Sequence, residues 1–183
     1  MPKQQKRNFP AGSTIKYLNK EEWDRFRACI DNYGDKLMVL VLYSTGMRVG
    51  EFSKLKIQDI DFQERFISIP GQNTKTGLPR TVWTSPETLS EIRAYIKLTK
   101  KKSGRLFHLT PRRIQQLIKQ YSKTSGVKVT PHTLRHTHIV HALLKRVPIT
   151  AVQKQVGHKR LATTQIYSDF APEQVREAYE RQV

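Results

Sequence analysis

The chain has 183 residues, with 33 lysines and arginines against 15 aspartates and glutamates, a formal net charge of +18. That length suits one domain able to bury about two thirds of its unfolded surface. No run of about 18 apolar residues is present, which excludes a membrane-spanning helix read from hydropathy. The opening Met1-Pro2-Lys3-Gln4-Gln5-Lys6-Arg7 is not followed by the apolar core of a signal peptide. A single cysteine, Cys29, excludes an intramolecular disulfide and is expected to be a small apolar helix residue. Together these features set the expectation of a cytoplasmic protein.

The charge is unevenly placed. Between Glu91 and Asp169 there is no acidic residue, yet that stretch holds 17 lysines and arginines. Residues 1–91 carry 14 basic against 11 acidic residues, and residues 169–183 carry 2 against 4. A merely soluble surface mixes both signs, so an acid-free block of this length points to a polyanion. The basic residues are spread over several segments and are not gathered on one amphipathic helix, which favours nucleic acid over a membrane surface.

In chain order, residues 1–17 show no apolar periodicity and read as a basic linker or arm. The folded unit is expected from Leu18 to Val183. Asn19 caps a helix with Glu22 at its third position, and Trp23, Phe26, Ile30 and Tyr33 recur at helical spacing as a core stripe. A second helix, about Asp35 to Ser44, is apolar nearly all round and ends at Gly46. A short helix then carries Arg48 and Glu51 three residues apart on one face. Phe66–Ile69 and Arg80–Thr84 read as strands around a polar turn that holds Lys75. Ser85-Pro86, Thr110-Pro111 and Thr130-Pro131 each pair a hydroxyl cap with proline at the first helical position, and start helices to about Lys101, Thr124 and Arg146. Further helices are expected from Pro148 to Gly157, from Leu161 to about Phe170, and from Pro172 to Arg181. The fold class is mainly α with a small antiparallel β-sheet.

Six residues along this order are of types that bind or break a phosphodiester: Arg48, Lys75, His132, Arg135, His158 and Tyr167. His132 and Arg135 lie three apart near a helix start, so they share a face beside first-turn amides suited to an anion. Each residue alone has a plain structural reading: Arg135 in an ion pair, His158 as a helix-end cap, Lys75 in a turn, Tyr167 in the core. Their joint order suggests a cationic cage for one phosphate, with a phenol to attack it. Histidines 132, 136, 138 and 141 invite a metal reading, but on a helix 138 and 141 project roughly 240° and 180° from 132. With no carboxylate between 92 and 168 to complete a site, no metal is expected.

The pieces Thr45-Gly46-x-Arg48-x-x-Glu51, Lys75, His132-x-Leu134-Arg135-His136-Thr137, Val156-Gly157-His158-Lys159 and Thr163-Thr164-Gln165-x-Tyr167 resemble the catalytic domain of the tyrosine recombinases, the phage integrase family. The resemblance covers about residues 18–183. It implies the tyrosine recombinase catalytic-domain fold and a site-specific recombinase or integrase that cuts and rejoins double-stranded DNA through a 3′-phosphotyrosyl link, without metal, ATP or other cofactor. Tyr167 would be the nucleophile, His132 its base, Arg48, Arg135 and His158 the phosphate's ligands, and Lys75 the acid for the leaving 5′-oxygen. Glu51 and His136 would be supporting residues that orient the arginine and His132. The resemblance also implies a monomer when free and a homo-tetramer on paired DNA sites, with the terminal helix from Pro172 exchanged between subunits. Family members usually carry an N-terminal helical core-binding domain, which 17 linker-like residues cannot supply, so the chain is expected to be a catalytic fragment. Two alternatives stay open: a type IB topoisomerase-like enzyme that reseals the same strand, and a catalytically silent DNA-binding regulator.

Overall fold

The computed structural model describes residues 16–74 and 77–158. The helices expected from Leu161 and from Pro172, and with them Tyr167, lie outside the described residues, as does Lys75.

Helix α1, Lys20–Ala28, starts with the capping box read from the sequence: Asn19 accepts from the Glu22 amide, and Glu22 accepts from the Asn19 amide. Its apolar stripe is shorter than expected. Cys29 caps the C-terminus, Ile30 lies past it, and Tyr33 opens helix α2, Tyr33–Thr45. The break follows from a second cap, Asn32, whose side chain accepts from the Asp35 amide and restarts the chain in a new direction. Trp23, Phe26 and Ile30 are buried nonetheless, so the stripe is core.

Helix α2 is the buried centre of the domain and packs on α4 (Pro86–Thr99) and on α6 (Pro131–Leu144). Leu37, Met38, Val39, Val41 and Leu42 are all nearly inaccessible. The helix ends at Gly46, which is left-handed at φ 64°. An added Cβ there would lie 2.6 Å from His138 Cδ2, so both backbone conformation and space require glycine. A four-residue helix follows, α3, Val49–Phe52, with Arg48 as its N-cap residue instead of a member of its face.

The antiparallel sheet has the order β1 (Ile60–Asp61), β2 (Phe66–Ile69), β3 (Arg80–Trp83). The two-residue β1 escapes the alternation test for strands because it is too short to show a period. Ile67 pairs with Val82 and Ile69 with Arg80. Ser85, Thr110 and Thr130 cap α4, α5 (Pro111–Ser125) and α6 through their side chains, each with proline in the first turn. Helix α7, Ile149–Val156, runs from Pro148 to a left-handed Gly157 and packs on both α6 and β3. A small apolar cluster of Ile139, Val140, Leu143, Val152 and Val156 joins α6 to α7 beside the main core. Among the described residues, no helix is long and apolar enough to cross a membrane.

Candidate active site

The loop after α2, the start of α6 and the turn between β2 and β3 converge on one cleft of about 620 Å³. Its walls include Arg48, Glu51, His132 and Arg135, together with Gln72, Asn73 and Thr74. Pro111 and Pro131 bring the first turns of α5 and α6 to the same opening, and Lys54 and Arg105 add two more cations. Such a cleft favours an anion through both its side chains and its helix ends.

The two arginines are held differently. Arg135 is buried, and its guanidinium donates to the carbonyls of Gly46 and Val156, at 2.5 and 2.7 Å. These acceptors are neutral, so they fix the guanidinium without cancelling its charge. Arg48 is more open: its amide donates to Glu51 Oε2 at 2.8 Å, Nη1 lies 3.3 Å from Glu51 Oε1, and Nη2 donates to the carbonyl of Gly157 at 3.3 Å. The ends of α2 and α7, both closed by left-handed glycines, therefore supply the carbonyls that grip the two arginines.

Glu51 is shared. Arg80, at the start of β3, forks onto it with Nη1 to Oε1 at 2.6 Å and Nη2 to Oε2 at 2.8 Å. Burial by itself would raise the Glu51 pKa, but the Arg80 fork, the Arg48 amide and the charges of both arginines outweigh it, leaving the carboxyl below its usual range. Arg80 is a residue that sequence reading assigned only to a strand. The one signal was Glu51 itself, the single acid between Asp35 and Asp59, set between apolar Val49 and Phe52 where a carboxylate needs a partner.

His158 and His136 lie beside the cleft. Burial, then the charges of Arg135 and Arg48, then His136 and Arg80, push His158 down to about 4. Burial followed by His132 and Arg135 lowers His136. A neutral imidazole at His158 would offer a hydrogen bond to an anion without a proton already gained. Thus Arg48, Glu51, His132 and Arg135 share the cleft, and His136 and His158 flank it.

The other two histidines of α6 turn away. His141 bridges the Tyr43 hydroxyl, 2.9 Å from Nδ1, and the Leu18 carbonyl, 2.9 Å from Nε2. His138 lies under Gly46, and burial pushes it down to about 4. Both line a second cavity of about 490 Å³ between α2, α6 and α7.

The phage integrase family model matches residues 16–174. A tyrosine recombinase XerA of Pyrococcus horikoshii is 38% identical over 178 residues, covering 92% of this chain and 62% of the relative. The crystal structure of a XerA recombinase superposes with a TM-score of 0.73 at 32% identity, covering 91% of this chain and 64% of that one. The catalytic domain of bacteriophage HP1 integrase gives a TM-score of 0.73 at 25% identity, covering 91% of this chain and 94% of that domain. The chain thus spans about three fifths of the full-length relative but nearly all of an isolated catalytic domain. With its helical fold and three-stranded sheet, it belongs to the phage integrase family, that of the tyrosine recombinases.

Proposed function

We propose that residues 18–183 form the catalytic unit of a site-specific DNA recombinase or integrase, with residues 1–17 as a basic linker. The observation that carries this reading is the cleft, where Arg48, His132 and Arg135 face one space beside Gln72, Asn73 and Thr74. Both guanidiniums would take the nonbridging oxygens of one phosphate and oppose the charge that grows as the phosphorus becomes pentacoordinate. His132 accepts the proton of Tyr167, whose phenolate oxygen forms a bond to phosphorus as the bond to the 5′-oxygen breaks. Lys75 gives that oxygen its proton, so a free 5′-hydroxyl and a 3′-phosphotyrosyl link result. Neutral His158 donates a hydrogen bond to the same phosphate, while Glu51 and His136 orient Arg48 and His132. Attack by a 5′-hydroxyl from a partner duplex reverses the step and frees the tyrosine. No metal or other cofactor takes part.

Double-stranded DNA is the partner, bound through the acid-free basic stretch after Glu91, in a homo-tetramer on paired sites that assembles from free monomers. The protein works in the cytoplasm, on the DNA there. The deciding experiment incubates the protein in chelator with nicked suicide duplexes and looks for a denaturant-resistant adduct. The wild type is expected to form one and Tyr167→Phe none, with DNA binding nearly unchanged. An adduct in the phenylalanine variant would remove Tyr167 from the nucleophile's role.

A further inference from the structure

Arg80 does not line the cleft, yet it makes the shortest contacts to the carboxylate that also holds Arg48. Both oxygens of Glu51 meet its fork, at 2.6 and 2.8 Å, whereas the guanidinium of Arg48 reaches only one of them, at 3.3 Å. The Glu51 side chain is 2% exposed, Arg80 12% and Arg48 29%, so Arg80 is the inner partner and Arg48 the outer one.

We propose that Arg80 is a positioning residue that occupies Glu51 so that Arg48 stays available to the phosphate. A buried carboxylate demands a compensating cation. Among the described residues, the cation left on Glu51 without Arg80 is Arg48, one helical turn away and already bonded to it through its amide. The Arg48 guanidinium then closes onto the carboxylate in a two-bond fork and withdraws from the cleft. With Arg80 in place, the planar fork that best fits a carboxylate is already taken.

The fold pins Arg80 for this task. Its backbone pairs with Ile69 in the sheet, and its Nε lies 3.5 Å from the Gln155 carbonyl. Gly157 leaves just the room the side chain needs: a Cβ there would stand 2.8 Å from Arg80 Nε. Gln155 also ties α7 to the same strand, accepting from the Trp83 amide at 2.9 Å and donating to its carbonyl at 2.8 Å. The start of β3, the end of α7 and the start of α3 thus meet at one carboxylate.

The inference rests on the reading of Arg48 as a phosphate ligand, and its test does not require strand transfer. Inorganic phosphate is titrated into arginine-¹⁵N-labelled protein while the Arg48 Nε–H resonance is followed, in the wild type, Arg80→Gln, Arg80→Lys, and each of these combined with Glu51→Gln. Loss of a charged hydrogen-bonding partner should weaken the Arg48 response about tenfold in Arg80→Gln, and less in Arg80→Lys, which keeps the charge but loses the fork. Adding Glu51→Gln to either variant removes the charge that captures Arg48 while keeping an acceptor for its amide, and should recover most of the lost affinity, though not all, because Glu51 also orients Arg48. If Arg80→Gln does not fold, the Arg80→Lys pair carries the comparison. Wild-type affinity in Arg80→Gln, no rescue in the double variants, or no Arg48 response in the wild type would each overturn the proposal. A phosphate response at Arg48 without any tyrosine-dependent DNA adduct would leave the proposal standing and fail the recombinase reading instead.

Discussion

The two halves of α6 carry the same residue types into opposite environments. Toward its N-terminus, His132 and Arg135 open on the 620 Å³ cleft and His136 flanks it, with cationic neighbours around them. Toward its C-terminus, His138 and His141 are half-buried against α2, bonded or packed to Tyr43, Leu18 and Gly46. An imidazole has no intrinsic job: one end of the helix makes it available for chemistry and the other makes it a structural bracket. The difference arises because His132 and Arg135 face the cleft from one side of the helix while His138 and His141 face the second cavity from another.

Replacing Arg135, a buried cation of the cleft, should break this contrast most severely. Arg135→Ala removes a cation from the cleft and leaves the Gly46 and Val156 carbonyls without that donor, at about 1–3 kcal/mol for each buried group left unsatisfied. Adduct formation should fall by about 10²–10³-fold or more, and urea denaturation should show the accompanying loss of stability.

A matched pair of substitutions on the same helix sharpens the comparison. His132→Gln should slow adduct formation by about 10²–10⁴-fold, the range for loss of a general base, with the urea midpoint nearly unchanged. His141→Leu should do the reverse, lowering stability by about 0.5–1.5 kcal/mol for each of its two hydrogen bonds while adduct formation persists. Equal effects of the two on stability would erase the distinction between the halves.

Acid should destabilise through imidazoles on both sides of this contrast. His138 and His158 are both pushed from 6.5 down to about 4, chiefly by burial, so between these values the unfolded chain binds more protons than the folded one. Stability is therefore fully present above about pH 6.5 and declines as pH falls toward 4. Glu51, held below its ordinary 4.5, adds a further loss as the pH drops through that value. Urea midpoints should stay level from about pH 7.5 to about 6.5 and fall from there to about 4.5, and NMR titration should find the His138 imidazole still neutral at about pH 5.5.

The smallest effect belongs to Tyr43→Phe. It deletes the hydroxyl that meets His141 Nδ1 and leaves the ring stacked on Trp23 at 4.1 Å between centroids. About 0.5–1.5 kcal/mol should be lost, with no change at the cleft.

Local chemistry made much of this fold legible in advance. The hydroxyl-proline pairs at Ser85, Thr110 and Thr130 mark three helix starts because proline costs nothing where no helical donor is needed. Asn19 and Glu22 mark another, and Gly46 a stop, for equally short-range reasons. The separation of His138 and His141 from His132 was also readable, since helical rotation alone sets it. The stripe through Trp23, Phe26, Ile30 and Tyr33 misled because two successive helices can extend one apolar spacing across the Asn32 cap between them.

The amino-acid order by itself determined where α1, α4, α5 and α6 begin, that the sheet is small and antiparallel, that the basic excess lies after Glu91, and the motifs around Arg48, His132, Arg135 and His158 that resemble the family. Each of these depends on residues near one another in the chain or on residue type. The tertiary structure alone decided which carbonyls grip the two arginines and which cation shares Glu51. Arg135 reaches Gly46 across 89 residues, Arg48 reaches Gly157 across 109, and Arg80 reaches Glu51 across 29. Nothing local selects such partners: a buried carboxylate or carbonyl requires some donor, and only the packing of α7 on β3 and α6 determines which one arrives.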